Sequence, residues 1–96
     1  MAKAYVICDI DVTDPAAYEE YKALSGPALE LHGGRFLVRG GAVATLEGDW
    51  YPSRVVVAEF ADSDAARRWW ESPEYAAARR ARQSAAIARF VLVEGL

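Results

Sequence analysis

A chain of 96 residues with 53% hydrophobic and 26% charged side chains can bury one core under one sheet, which excludes a disordered tail. Its net charge of −3 argues against a nucleic-acid surface, where clustered Lys and Arg on a basic domain are expected. The single cysteine, Cys8, allows no internal disulfide, so folding does not depend on an oxidising compartment.

Residues 3 to 11 alternate Tyr5, Ile7, Asp9 and Asp11 against Ala4, Val6, Cys8 and Ile10, the period of a strand. Inside that run Cys8 reads as a small buried hydrophobe rather than a nucleophile. Asp14-Pro15 then supplies a helix cap followed by proline at the first helical position. Tyr18, Tyr21, Ser25, Ala28 and His32 follow at three- and four-residue steps, giving this helix one semi-apolar face. Gly26-Pro27 falls inside the pattern, and the missing proline N–H predicts a kink or a helix in two parts.

Gly33-Gly34-Arg35-Phe36-Leu37-Val38-Arg39-Gly40-Gly41 is a short strand bracketed by two glycine pairs, with Gly33 as the helix stop. Residues 40 to 53 are rich in turn formers, although Ala42 to Glu47 would extend the strand. Trp50-Tyr51 in that loop either reaches over a partner subunit or covers a cavity mouth. Residues 54 to 60 form a third strand. Asp62, Ser63 and Asp64 then cap a helix carrying Ala65, Ala66, Trp69 and Trp70, and Ser72-Pro73-Glu74 starts a further helical piece. The arginines of this half, Arg67, Arg68, Arg79, Arg80 and Arg82, sit among alanines at helical spacing and form a solvated helix face. Residues 87 to 94 are the last strand. No apolar run approaches the roughly 20 residues of a membrane span, and no signal-type apolar region opens the chain. A cytoplasmic location without a membrane partner is expected.

The order β-α-β-β-α-β predicts an α+β, ferredoxin-like domain over residues 1 to 96. Its four-stranded antiparallel sheet runs 4-1-3-2, with the helices on one face. Sorting the strands by parity then gives that sheet two different faces. One is apolar, with Ala4, Val6, Cys8, Ile10, Phe36, Val38, Val56, Ala58 and Phe60, and Arg54 at its margin. The other carries Tyr5, Ile7, Leu37, Val55, Val57, Val91 and Val93 together with Asp9, Arg35, Arg39, Glu59 and Arg89. A solvated antiparallel face should alternate to polar, so so many aliphatic residues predict a partner sheet. A two-fold homodimer would bury both open faces in a barrel-like interior. Charges on that face then need partners: the topology predicts Arg89 with Asp9 and Arg35 with Glu59, leaving Arg39 least provided for.

The glycine-bracketed strand, Val57-Ala58-Glu59-Phe60, Trp69 and Ser72-Pro73-Glu74-Tyr75 together resemble domain-of-unknown-function family 1330. The resemblance spans nearly the whole chain and implies a dimeric α/β barrel. It brings no established activity. The wider superfamily it implies includes cofactor-free monooxygenases, lactone isomerases, haem-dependent enzymes and ligand-sensing modules, among which fold does not choose.

His32, the only histidine, either stabilises the helix C-terminus or moves protons. One His, one Cys and no paired ligand spacing leave no legible metal site, and no cofactor is expected. Tyr18, Tyr21, Trp69 and Trp70 serve the core or line a pocket between helices and sheet. Arg39, with Asp9 and Arg54 near the same sheet end, either binds a carboxylate-like anion or holds a loop or an inter-subunit ion pair. Two functions follow. In one, Arg39 binds a small anionic or aromatic metabolite, Asp9, Glu59 or His32 moves protons, and Tyr18 and Trp69 shape the pocket. In the other, the chain is a non-catalytic dimeric structural or sensing module whose charges serve the interface. A pocket of roughly 300 Å³ beside Arg39 favours the first.

Overall fold

The computed structural model describes residues 2–96. Strand β1 (Ala4–Val12) leads through helix α1 (Pro15–Leu31) to β2 (Arg35–Arg39) and β3 (Arg54–Phe60). Helices α2 (Ser63–Glu71) and α3 (Pro73–Arg82) then lead to β4 (Ala86–Glu94). The sheet order is β2-β3-β1-β4, and every pairing is antiparallel. This is the ferredoxin-like arrangement 4-1-3-2 read from the other edge.

Side-chain caps start each helix where the sequence places them. The Asp14 carboxylate accepts from the Ala17 N–H at 3.2 Å, Asp62 from Ala65 at 2.8 Å, and the Ser72 hydroxyl from Tyr75 at 3.1 Å. Proline follows the cap in α1 and α3, where its missing N–H costs nothing. Helix α1 stops in a left-handed turn at Gly33 (φ 77°), with Gly34 N–H bonded to the Leu29 carbonyl and Gly33 N–H to that of Glu30. That pair of bonds satisfies carbonyls the helix end would otherwise orphan.

Two expectations need correcting. Helix α1 continues unbroken through Gly26-Pro27 as one element. Pro27 and Ala23, whose carbonyl loses its partner, both lie on the solvent side, where water can take that bond. Residues 42 to 47 form no strand; the whole stretch between β2 and β3 is loop.

All three helices pack on one face of the sheet. Val6, Cys8 and Ile10 of β1 and Val56, Ala58 and Phe60 of β3 meet Tyr18, Tyr21, Ala28 and Leu29 of α1, Trp69 of α2 and Tyr75 of α3. Phe60 lies 5.3 Å from Trp69 between ring centroids, and Trp69 lies 4.3 Å from Tyr75. Buried ring pairs of this kind add about 0.5–1.5 kcal/mol each beyond their area. The hydroxyls of Tyr21 and Tyr75 bond at 2.9 Å, so α1 and α3 are joined by a satisfied polar contact inside the core.

A third correction concerns the second half of β2. Parity alone puts Arg39 on the open face and Val38 on the helix face. The β2–β3 pairing instead shifts by one residue between Phe36 and Val38: Phe36 pairs with Ala58, Val38 with Val57 and Arg39 with Val56. The extra residue, Leu37, makes a bulge, and everything after it changes face. Val38 joins Val57 on the open face, and Arg39 joins Val56 on the helix face.

Candidate functional site

The bulge carries Arg39 to the place where α1 crosses the end of the sheet. Its guanidinium stacks on the Phe36 ring, 4.2 Å from the centroid, and lies close against the backbone of Gly26 in α1. Arg54 comes to the same place from β3, where it pairs with Ile10 on the helix face. Its guanidinium sits 5.4 Å from the Tyr18 centroid and packs against Gly40, whose φ of 78° and lack of a side chain make room for it. Stacking on a ring fixes the plane of a guanidinium and leaves its N–H donors pointing outward in that plane.

Neither arginine has a carboxylate within salt-bridge distance among the described residues; the five ion pairs use other side chains. The Nε of Arg54 is buried and has no hydrogen-bond partner. A buried donor left unmade costs about 1–3 kcal/mol, more when charged, so the position calls for an acceptor. Lys22 of α1 completes the group and is bound at 2.9 Å by Glu19.

These residues border two adjoining hollows. Outside lies an open basin of about 490 Å³ bounded by Glu19, Lys22, Ala23, Arg39 and Arg54, three cations to one carboxylate. Inside lies a cavity of about 20 Å³ between α1 and the sheet, shared with Lys22, Arg39 and Arg54 and walled by Tyr18, Tyr21 and Ser25. The inner space holds about one water. The basin is the larger and the more polar.

The remaining candidates separate cleanly. Tyr18 lines the inner cavity, and Trp69 lies at its far end, 3% exposed, with its indole Nε1 buried and unpartnered. Asp9 is on the open face, where its Oδ2 accepts from Arg89 at 3.3 Å and from Trp50 Nε1 at 2.9 Å. It therefore shares a sheet end with Arg39 and Arg54 but is on the opposite side. Glu59 is also on the open face, accepting from Arg35 at 2.8 Å with Lys3 at 3.6 Å. Both predicted ion pairs are present. The hydrogen bond from Arg35 holds the Glu59 carboxyl below its usual pKa, with the charges of Arg35 and Lys3 adding to it against a desolvation that pulls the other way. His32 caps α1 beyond the site, 3.3 Å from Glu74. Trp50 donates to Asp9 of its own chain while remaining exposed, and the hydroxyl of Thr45 donates to the Trp50 carbonyl at 2.7 Å.

The inner cavity offers no ready nucleophile or base. Burial pushes the Cys8 thiol up to about 12, only partly offset by the Arg82 charge. Burial also raises Tyr21 well above the ordinary phenol range, with the neighbouring Tyr75 adding to it. Tyr75 is raised as well, again chiefly by burial. Among the described residues no group of three or more His, Cys, Asp or Glu could hold a metal ion. Sequence reasoning missed Lys22, Glu19 and Gly40 as parts of the site. A cation on the helix strand facing away from the core pattern carries no periodic signal.

A scan against family models matches residues 3–96 to the domain of unknown function DUF1330, and the chain belongs to that family. Among solved structures it is similar to a Rhodopseudomonas palustris protein of unknown function (TM-score 0.81, 23% identity, covering 99% of this chain and 83% of that one). It is also similar to SnoaB, a cofactor-independent oxygenase from Streptomyces nogalater (TM-score 0.72, 21% identity, covering 100% and 95%). A third is a dimeric ferredoxin-like protein of unknown function from Thermobifida fusca (TM-score 0.60, 19% identity, covering 98% and 92%). At these identities the likeness is one of fold. No curated protein matches the chain. Among the described residues no helix is long and apolar enough to cross a membrane.

Proposed function

We propose that the chain is a homodimeric binding protein for a small metabolite, whose carboxylate or similar anionic group is taken at Arg39 and Arg54. The observation that carries this reading is the pair of ring-stacked arginines at one cavity mouth, without carboxylate partners and with a buried donor unused. The open-face charges are paired, as Asp9–Arg89 and Arg35–Glu59 are. Arg79 and Arg82 also stack on rings without carboxylates, but only Arg39 and Arg54 converge with Lys22 on an open basin. An aromatic or apolar body would meet Tyr18 at the inner edge. Binding rather than chemistry is the better supported role, because Asp9 and Glu59 face away from the mouth and Cys8 and Tyr21 are held neutral. No cofactor enters this reading.

The dimer rests on the open face. Val91 and Val93 are 58% and 46% exposed, and Val38 is 40% exposed, beside Ile7, Val55 and Val57. A contiguous apolar patch of this kind marks an interface. Asp9–Arg89 at one end and Arg35–Glu59 at the other leave its charges compensated before a second sheet covers them. A similar fold described as dimeric supports the same assembly.

A thermal-shift screen with small carboxylates and phenols tests the site. A ligand at about ten times its Kd stabilises by about 1.4 kcal/mol, which raises Tm by roughly 6 °C or more in a domain of this size. Arg39→Ala and Arg54→Ala should each abolish the shift given by carboxylates. A shift that survives both substitutions removes the arginines from the site. The second reading, a non-catalytic structural or sensing module, is favoured by the nearly filled inner cavity. It takes over if no carboxylate shifts the wild-type protein.

A further inference from the structure

The arginine mouth is one end of a longer feature. The inner cavity that shares Lys22, Arg39 and Arg54 with the basin also shares Val6, Trp69 and Phe90 with a third hollow. That hollow, about 290 Å³, lies between α2 and the β4 edge and is walled by Trp69, Trp70, Phe90 and Leu92, with Arg67 and Glu71 also bordering it. The three spaces therefore adjoin through shared walls along the helix face of β1, and a ligand reaching from the first to the third must displace side chains of the middle one. Arg54 pairs with Ile10 at one end, and Leu92 pairs with Val6 near the other. Four residues of strand separate Ile10 from Val6, about 13 Å at roughly 3.3 Å each.

The chemistry is graded along that line. The basin is cationic, and the middle is mostly apolar with Cys8, Ile10 and Val56 on the sheet side. The far hollow is mainly aromatic and apolar, with Arg67 and Glu71 opposite in charge beside it. Ring centroids of Trp70 and Phe90 are 5.3 Å apart, and those of Trp69 and Trp70 are 5.9 Å apart. The middle is narrow: of the α1 residues that line it, Tyr18, Tyr21, Lys22, Ser25 and Leu29, only Ser25 is small. A slender chain needs less displacement there than a ring.

Building on the anion-binding reading above, we propose that the ligand is an amphipathic monocarboxylate with a slender apolar tail. Its carboxylate sits between Arg39 and Arg54. Its tail runs under α1, past Ser25, and ends against Trp69, Trp70 and Phe90. Medium-chain alkanoates and arylalkanoates have this shape, and the aromatic end wall accepts either a methyl or a phenyl terminus.

The test is a chain-length series on the full chain: butanoate, octanoate and phenylbutanoate, below any aggregation concentration, with affinities by calorimetry. Each methylene buried is worth about fourfold. Octanoate and phenylbutanoate should bind at least about tenfold tighter than butanoate. In a Trp50→Phe background, which leaves Trp69 and Trp70 as the emitting indoles, the two longer acids should change the emission and butanoate should not. Ser25→Leu, which fills the middle, should bring octanoate down to the affinity of butanoate; if that variant does not fold, the length series and the emission decide. Equal affinities along the series, with butanoate still bound through Arg39 and Arg54, overturn the tail and leave the anion site standing. A length dependence that persists in Arg39→Ala/Arg54→Ala places the tail elsewhere, such as the open sheet face, and also overturns the inference. If no acid binds at all, the anion site fails and the tail with it.

Discussion

On the helix face of β1, Val6, Cys8 and Ile10 are 5%, 4% and 1% exposed, whereas Val91 of β4 on the open face is 58% exposed. Both faces are apolar in sequence and both carry charge, yet the charge is handled in opposite ways. Open-face charges are paired at short range, Arg35 with Glu59 and Arg89 with Asp9. Helix-face cations at the sheet end are stacked on rings and left without carboxylates. Paired charge can be covered by a second protein surface at little cost, but unpaired charge at a cavity mouth favours an incoming anion. The contrast separates the proposed assembly surface from the proposed binding surface on a sheet four strands wide.

The sharpest way to break this comparison is to exchange the character of the two faces on β3. Val57→Lys puts an unpaired cation into the middle of the open face. In a sheet-to-sheet dimer two such lysines are buried per assembly, each costing several kcal/mol, so light scattering should report the monomer mass. The fold itself should survive, since water still reaches this face in the monomer. A dimer of unchanged mass places the interface elsewhere. Phe60→Ala, on the opposite side of the same strand, should act the other way. Phe60 is 1% exposed against Trp69, so its loss should lower urea-unfolding stability by about 3–5 kcal/mol without specifically splitting the dimer.

A smaller effect tests how the arginine mouth is held. Gly40 stands at φ 78°, and a side chain there would collide with the Arg54 guanidinium. Gly40→Ala should cost about 1–2 kcal/mol in unfolding experiments, from the left-handed backbone alone. It should also weaken carboxylate binding, because Arg54 must move. Gly41→Ala next to it meets nothing within 4 Å and serves as the control. If both variants bind carboxylates like the wild type, Arg54 does not need its present position.

Most of the architecture could be read from residue patterns because each signal was local and repeated. Asp14-Pro15 and Ser72-Pro73 mark helix starts by their own chemistry, and β1 alternates over nine residues without a break. The two open-face ion pairs followed from parity combined with antiparallel topology, since Arg35 does pair with Glu59 and Arg89 with Asp9. The site was less legible for a single reason. A bulge adds one residue and reverses every later side chain, but β2 has only five residues, too few to show a broken period. Arg39 was thus recognisable as the charge short of partners and Arg54 as its neighbour, while the rest of its surroundings was not. Strand topology groups it with Arg54, which does share the mouth, and with Asp9, which lies across the sheet, but gives no sign of Lys22, which borders the mouth from a helix.

The smallest expected effect concerns the open face as a paired surface. The Glu59 carboxyl is held below its usual pKa by the Arg35 hydrogen bond, so the folded protein binds a proton there less readily than the unfolded chain does. Stability from this pair is therefore fully present above the unfolded carboxylate range, near pH 4.3. It is lost as pH falls through the lower folded value. Glu59→Gln should leave urea stability near neutral pH slightly reduced and should flatten its decline below about pH 4. The comparison is sharper if Arg39→Ala is run alongside. Arg39 has no carboxylate to release, so its removal should leave the acid limb unchanged while abolishing carboxylate binding. An acid limb that responds to Arg39→Ala as strongly as to Glu59→Gln would mean that the cations of the two faces are not divided between structure and ligand.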